Sequence, residues 1–121
     1  MYCVVEMYGD YEPWWFLDGW KDDIVKTWTF DDYYVALKHY KHHWADLAEA
    51  SPFYRSRSDL MTAFWNPEDE RWCEECGEYV QQYHSLMLLE NDKVIPQSKL
   101  RPGYNKQNAL EKHRSCQTRN N

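Results

Sequence analysis

The sequence predicts an α+β domain: a mainly antiparallel sheet of four to five strands with one long helix, residues 31–50, packed on one face. Three observations carry this expectation. Residues 2–8 and 24–30 alternate side chains with the period of a strand. Residues 33–47 repeat large apolar groups at steps of 4, 3, 4 and 3, the period of a helix. Two further apolar runs, 60–65 and 84–90, are bounded by turn residues.

In the first element, YCVVEMY, Cys3, Val5 and Met7 fall on one face, and Tyr2, Val4, Glu6 and Tyr8 on the other. Gly9-Asp10 ends it. The stretch DYEPWWFLDGW, residues 10–20, reads as a connection punctuated by Pro13 and Gly19. It carries three Trp, which is costly unless they pack or bind something. IVKTWTF, residues 24–30, is the second strand, with Ile24, Trp28 and Phe30 on one face.

The helix follows. Asp31 is the expected N-cap, since a short carboxylate can accept from the free N–H groups of the first turn. Phe30 and Val35 then have the spacing of a hydrophobic staple. Tyr33, Leu37, Tyr40, Trp44 and Leu47 form the apolar stripe, and Pro52 ends the helix by excluding Ser51 from helical geometry. His39, His42 and His43 lie off that stripe and read as a solvent-facing polar surface.

Residues 53–59 read as a polar connection, LMTAFW as a short buried strand, and Asn66-Pro67-Glu68-Asp69 as a turn. Residues 72–83 fit a helical stripe and a strand face equally. HSLMLLE, residues 84–90, is a strand, and Val94-Ile95 a short edge strand. The expected organisation is one globular domain over residues 1–98 and a basic, polar, flexible tail over 99–121.

Composition limits the function classes. Aromatic residues make up 17% of the 121-residue chain, enough to fold a core despite a mean hydropathy of -0.92. No run approaches the roughly 20 apolar residues of a membrane helix. With no basic leader at the N-terminus, a cytoplasmic location is expected, where cysteines are thiols, metal ligands or catalytic pairs. The net charge of -6 is unevenly spread. Residues 1–92 carry 7 Lys/Arg against 19 Asp/Glu, and residues 93–121 carry 7 against one. The body should repel phosphates, and the tail can attract them. The acidic runs read as solvated surface and turns.

Chemical candidates are few. Cys73-Glu74-Glu75-Cys76-Gly77 is half of a zinc-ribbon ligand set, with His84, Cys3 or Cys116 as completions. As a redox pair it carries a handicap: two Glu between the thiols should raise their pKa values. No nucleophile elbow and no phosphate-cradling Gly-rich loop is present, so no catalytic residue is assigned. The expected function is therefore a non-catalytic interaction module that contacts protein or nucleic acid and needs no cofactor. Its surface would comprise Trp14, Trp15, Trp20 and Trp65, with attraction from Lys99, Arg101, Lys106, Lys112 and Arg114. The alternative is a zinc-binding or redox-linked protein built on Cys73 and Cys76, with His84 as a further metal ligand. A hydrolase using the carboxylates of 68–75 ranks third.

Three blocks, MYCVVEMYGDYEPWWFLDGW, SRSDLMTAFWNPEDERWCEECGEYVQQYHSL and KLRPGYNKQN, resemble the domain-of-unknown-function family numbered 1033, short proteins of Gram-positive bacteria. The likeness covers most of residues 1–108. It implies a single cytoplasmic bacterial domain and supplies no catalytic residues. Members are sometimes labelled DNA-binding, a label the acidic body argues against.

Overall fold

A computed structural model describes residues 1–108. Nine strands, one α-helix and four short 3-10 turns run through them: β1 (Tyr2–Gly9), β2 (Ile24–Phe30), α1 (Tyr33–Ala50), β3 (Phe53–Arg57), β4 (Met61–Trp65), β5 (Glu70–Cys73), β6 (Glu78–Gln81), β7 (Tyr83–Glu90), β8 (Lys93–Val94) and β9 (Lys106–Gln107). Seven strands form one antiparallel sheet in the order β2-β1-β7-β4-β3-β9, with β8 paired to β7. β5 and β6 make a separate two-stranded ribbon. The class is the expected α+β, and the sheet is larger than the four to five strands expected. The sheet gains β3 and β9, whose polar sequences mask their strand period, and the ribbon lies outside it.

Both faces of the sheet are covered. On one, Val4, Phe64, Leu86 and Leu88 pack against Tyr33, Ala36 and Tyr40 of the helix. On the other, Cys3, Val5, Met7, Met61, Met87 and Leu89 are capped by Trp14, Phe16 and Trp20 of the loop between β1 and β2. A central strand buried on both sides should be apolar nearly throughout, and residues 85–89 of β7 are all buried. The three loop Trp are thus not one free surface: Trp14 and Trp20 close the second core, and Trp15 is 60% exposed.

The helix begins one residue later than expected. Asp32, in extended geometry, caps it, its carboxylate accepting from the Val35 N–H at 2.9 Å. Starting at Tyr33 turns that ring, Ala36 and Tyr40 toward the sheet. Val35 is consequently 53% exposed, and the staple with Phe30 does not form. The Tyr40 hydroxyl is fully buried and meets Thr62 Oγ1 at 2.8 Å. Trp44 Nε1 donates to the same oxygen at 3.0 Å, and Ser56 Oγ lies 2.9 Å from it. This network ties α1 to β3 and β4.

The histidine face also departs from expectation. His39 and His43 are half-buried against Trp28, with ring centroids 4.6 and 4.8 Å away, and only His42 is exposed. Their offset from the stripe points them at β2 instead of solvent. Residues 53–59, read as a connection, hold β3. Residues 72–83, left between helix and strand, form most of the β5–β6 ribbon.

Candidate basic interface and cysteine hairpin

β3 reads Phe-Tyr-Arg-Ser-Arg, so Arg55 and Arg57 point one way and Ser56 the other. Ser56 is buried against the Tyr40–Trp44 network. Arg57 lies opposite Met61 in register, which places both arginines on the side capped by the Trp loop. There the Arg57 guanidinium stands 5.3 Å from the Trp14 ring centroid, a cation–π distance. It also contacts Asp59 at 3.1 Å. Arg55 donates from Nε to Gln107 Oε1 at 2.9 Å.

β9 lies beside β3, with Ser56 opposite Lys106 and Arg55 opposite Gln107. Trp14, Arg55, Ser56, Arg57, Lys106 and Gln107, with Asn105, line a groove of about 430 Å³. Lys106 sends its ammonium to the helix side, 4.7 Å from the Trp44 ring. It forms the rim of a second groove, about 500 Å³, shared with Lys41, Trp44, Arg101 and Tyr104. Among the described residues no carboxylate lines either groove. Five cations and three aromatic rings therefore converge on one sheet edge.

The other expected contact residues lie elsewhere. Trp15 Nε1 donates to Glu12 at 3.0 Å, and Trp20 stacks on Phe16 at 4.9 Å. Trp65 is half-buried between Phe53 and Tyr83. Lys99 turns inward, donating to Glu90 and to the Tyr2 hydroxyl at 2.6 Å each. That bond holds the Glu90 carboxyl below its ordinary value. Arg101 donates to the Tyr33 hydroxyl at 3.1 Å while lining the second groove. Residues 99–108 thus lie against the body through these bonds and β9. Lys112 and Arg114 fall outside the described residues. The residues that sequence reasoning missed are Arg55, Arg57 and Lys41; the period-2 spacing of the two arginines was the available signal.

The cysteine pair sits on the β5–β6 ribbon. Cys73 ends β5, and the chain turns through Glu74, Glu75, Cys76 and Gly77 before Glu78 pairs back with Cys73. Gly77 takes a left-handed φ of 67° and donates its N–H to the Cys73 carbonyl at 2.8 Å. Arg71 Nε donates to Asp10 at 2.7 Å and the Tyr8 hydroxyl donates to Asp69 at 3.0 Å, fixing the ribbon to the sheet. Cys73 is buried and Cys76 exposed, their sulfurs 2.7 Å apart. The Cys76 N–H donates to Cys73 Sγ at 3.2 Å. The contact with Cys76, then the backbone N–H groups of Cys76 and Glu75, hold the Cys73 thiol below its ordinary pKa. Cys76 is pushed up by its bond to Cys73 and then by burial, with Glu78 and Glu75 adding to this. Of the two Glu between the thiols, Glu75 adds to the rise at Cys76, while Cys73 is lowered.

Among the described residues no three His, Cys, Asp or Glu side chains come together to hold an ion. His84 lies tilted against Tyr8, ring centroids 4.7 Å apart, and Cys3 lies in the second core cluster.

The architecture of the described residues is that of an α+β protein with one α-helix, both sheet faces covered and a cationic, aromatic edge. The chain belongs to the family described as Protein of unknown function (DUF1033), whose model matches residues 1–118. Comparison with curated proteins and with solved structures returned no match. Among the described residues, no helix is long and apolar enough to cross a membrane.

Proposed function

We propose that this chain is a non-catalytic binding module for single-stranded nucleic acid, which it holds along the β3–β9 edge. The observation that carries the reading is the meeting of Arg55 and Arg57 with Trp14 in one groove, and of Lys106 with Trp44 in the groove on the other face of the same edge, on an otherwise acidic body. Cations along a groove attract a phosphate backbone by releasing its counterions, and adjoining aromatic rings offer faces for unpaired bases. Groups that alternate along a strand match an extended ligand better than a rigid duplex groove. Such single strands are RNA or unpaired DNA. The acidic remainder repels phosphate, which confines the ligand to this edge.

The test is fluorescence anisotropy with a labelled oligonucleotide of about 15 nucleotides, near the upper site size of small single-strand binders. Arg55→Gln/Arg57→Gln should weaken binding about tenfold or more at low salt, two phosphate contacts being removed. An intact chain that binds no oligonucleotide at low salt sinks the proposal. So does a double variant that binds equally well.

A further inference from the structure

The geometry points to a second site, independent of the basic edge: Cys73 and Cys76 form a dithiol at the ribbon tip that exchanges with low-molecular-weight disulfides and closes to an intramolecular disulfide. Three features carry this. The sulfurs lie 2.7 Å apart, inside ordinary van der Waals separation, so little movement is needed to join them. Exposure divides the roles, because a reagent in solvent meets Cys76 while Cys73 is covered. The turn that carries them is closed by the Cys73–Glu78 pairing and the Gly77 bond, so a cross-link there spans residues already held together.

The backbone also prepares the charge. When the pair loses its first proton, the Cys76 and Glu75 N–H groups hold the negative charge on Cys73. As Cys76 attacks one sulfur of a disulfide RSSR, its proton passes to Cys73 across the short contact. The S–S bond of RSSR breaks and one RS⁻ leaves, giving a mixed disulfide, Cys76–S–S–R. Cys73 then gives its proton to solvent and attacks the Cys76 sulfur, expelling the second RS⁻. The products are the Cys73–Cys76 disulfide and, after the two protons are taken up, two RSH. The pair loses two electrons and RSSR gains them.

The experiment uses the full chain in a Cys116→Ser background, with oxidised glutathione as probe, alkylation to stop the reaction, and intact and peptide mass measurement. The parent should lose both Cys73 and Cys76 from the alkylated pool without retaining an adduct. Cys73→Ser, unable to close the ring, should trap glutathione on Cys76. Cys76→Ser should carry about tenfold less adduct, since buried Cys73 meets the reagent poorly. Circular dichroism of each variant checks that the ribbon and sheet persist. Three results overturn the inference: both thiols still alkylatable after oxidised glutathione, equal adduct on the two variants, or a divalent ion masking both thiols in protein purified without chelator.

Discussion

Thr62 Oγ1 is the most heavily used side-chain oxygen in the core, meeting Tyr40, Trp44 and Ser56 within 3.0 Å. Replacing it with Val keeps the shape and leaves buried polar partners under-satisfied. Each such group costs on the order of 1–3 kcal/mol, and the Trp44–Ser56 contact at 3.3 Å recovers part of the loss. Thr62→Val should therefore destabilise the fold by about 2–3 kcal/mol, read from urea unfolding at constant slope. The helix cap gives a sharper comparison. Asp32→Ala should cost about 1 kcal/mol, whereas Asp31→Ala, one residue before the cap, should stay within about 0.5 kcal/mol. Equal effects would mean that the helix begins where the sequence first places it. Nothing local separated the two aspartates; the requirement that Tyr33, Ala36 and Tyr40 face the sheet decides between them.

At the scale of elements, the helix meets β2 through imidazole. His39 lies against Trp28 and Phe30, and its Nε2 is buried with no hydrogen-bond partner among the described residues. Burial, then the neighbouring His43 and His42, lower its pKa. A histidine depressed in the folded state adds stability that is complete above its unfolded value near 6.5. That stability is lost as pH falls through the folded value, because the unfolded chain takes up the proton first. The Glu6 side chain faces the same surface from β1, its Oε1 2.9 Å from His43 Nε2. Unfolding measured between about pH 7 and 5 should show stability falling with pH, and His39→Gln should flatten that slope. An unchanged slope would assign the pH dependence elsewhere. Elements were legible where hydrophobic period was strong: β1, β2, α1, β4 and β7. They were hidden where polar side chains occupy a strand, as in FYRSR, or where few residues pair, as in β9. The candidate site was hidden for the same reason. Trp14 and Lys106 were visible as residue types, but their meeting depends on Arg55 and Arg57 lying on a strand that β9 joins. The inward turn of Lys99 onto Glu90, nine residues away, is set by tertiary packing that no local pattern encodes.

Across the whole molecule, charge is sorted by the fold. Carboxylates crowd the turn before β5 and the ribbon tip, whereas cations from α1, β3 and the 99–108 segment gather at one edge. A chain of net charge -6 can approach a polyanion only through such a sorted surface. The central claim is that this edge binds single strands by phosphate neutralisation, and the salt dependence of oligonucleotide binding tests it most directly. A plot of log affinity against log salt should be linear, with a slope of about -0.7 for each phosphate contacted. Three cations of the β3–β9 edge, Arg55, Arg57 and Lys106, then give a contribution of about -2. Replacing all three with Gln should remove that contribution and leave the melting temperature within a few degrees. A slope near zero in the intact chain, or an unchanged slope in the triple variant, would contradict the account.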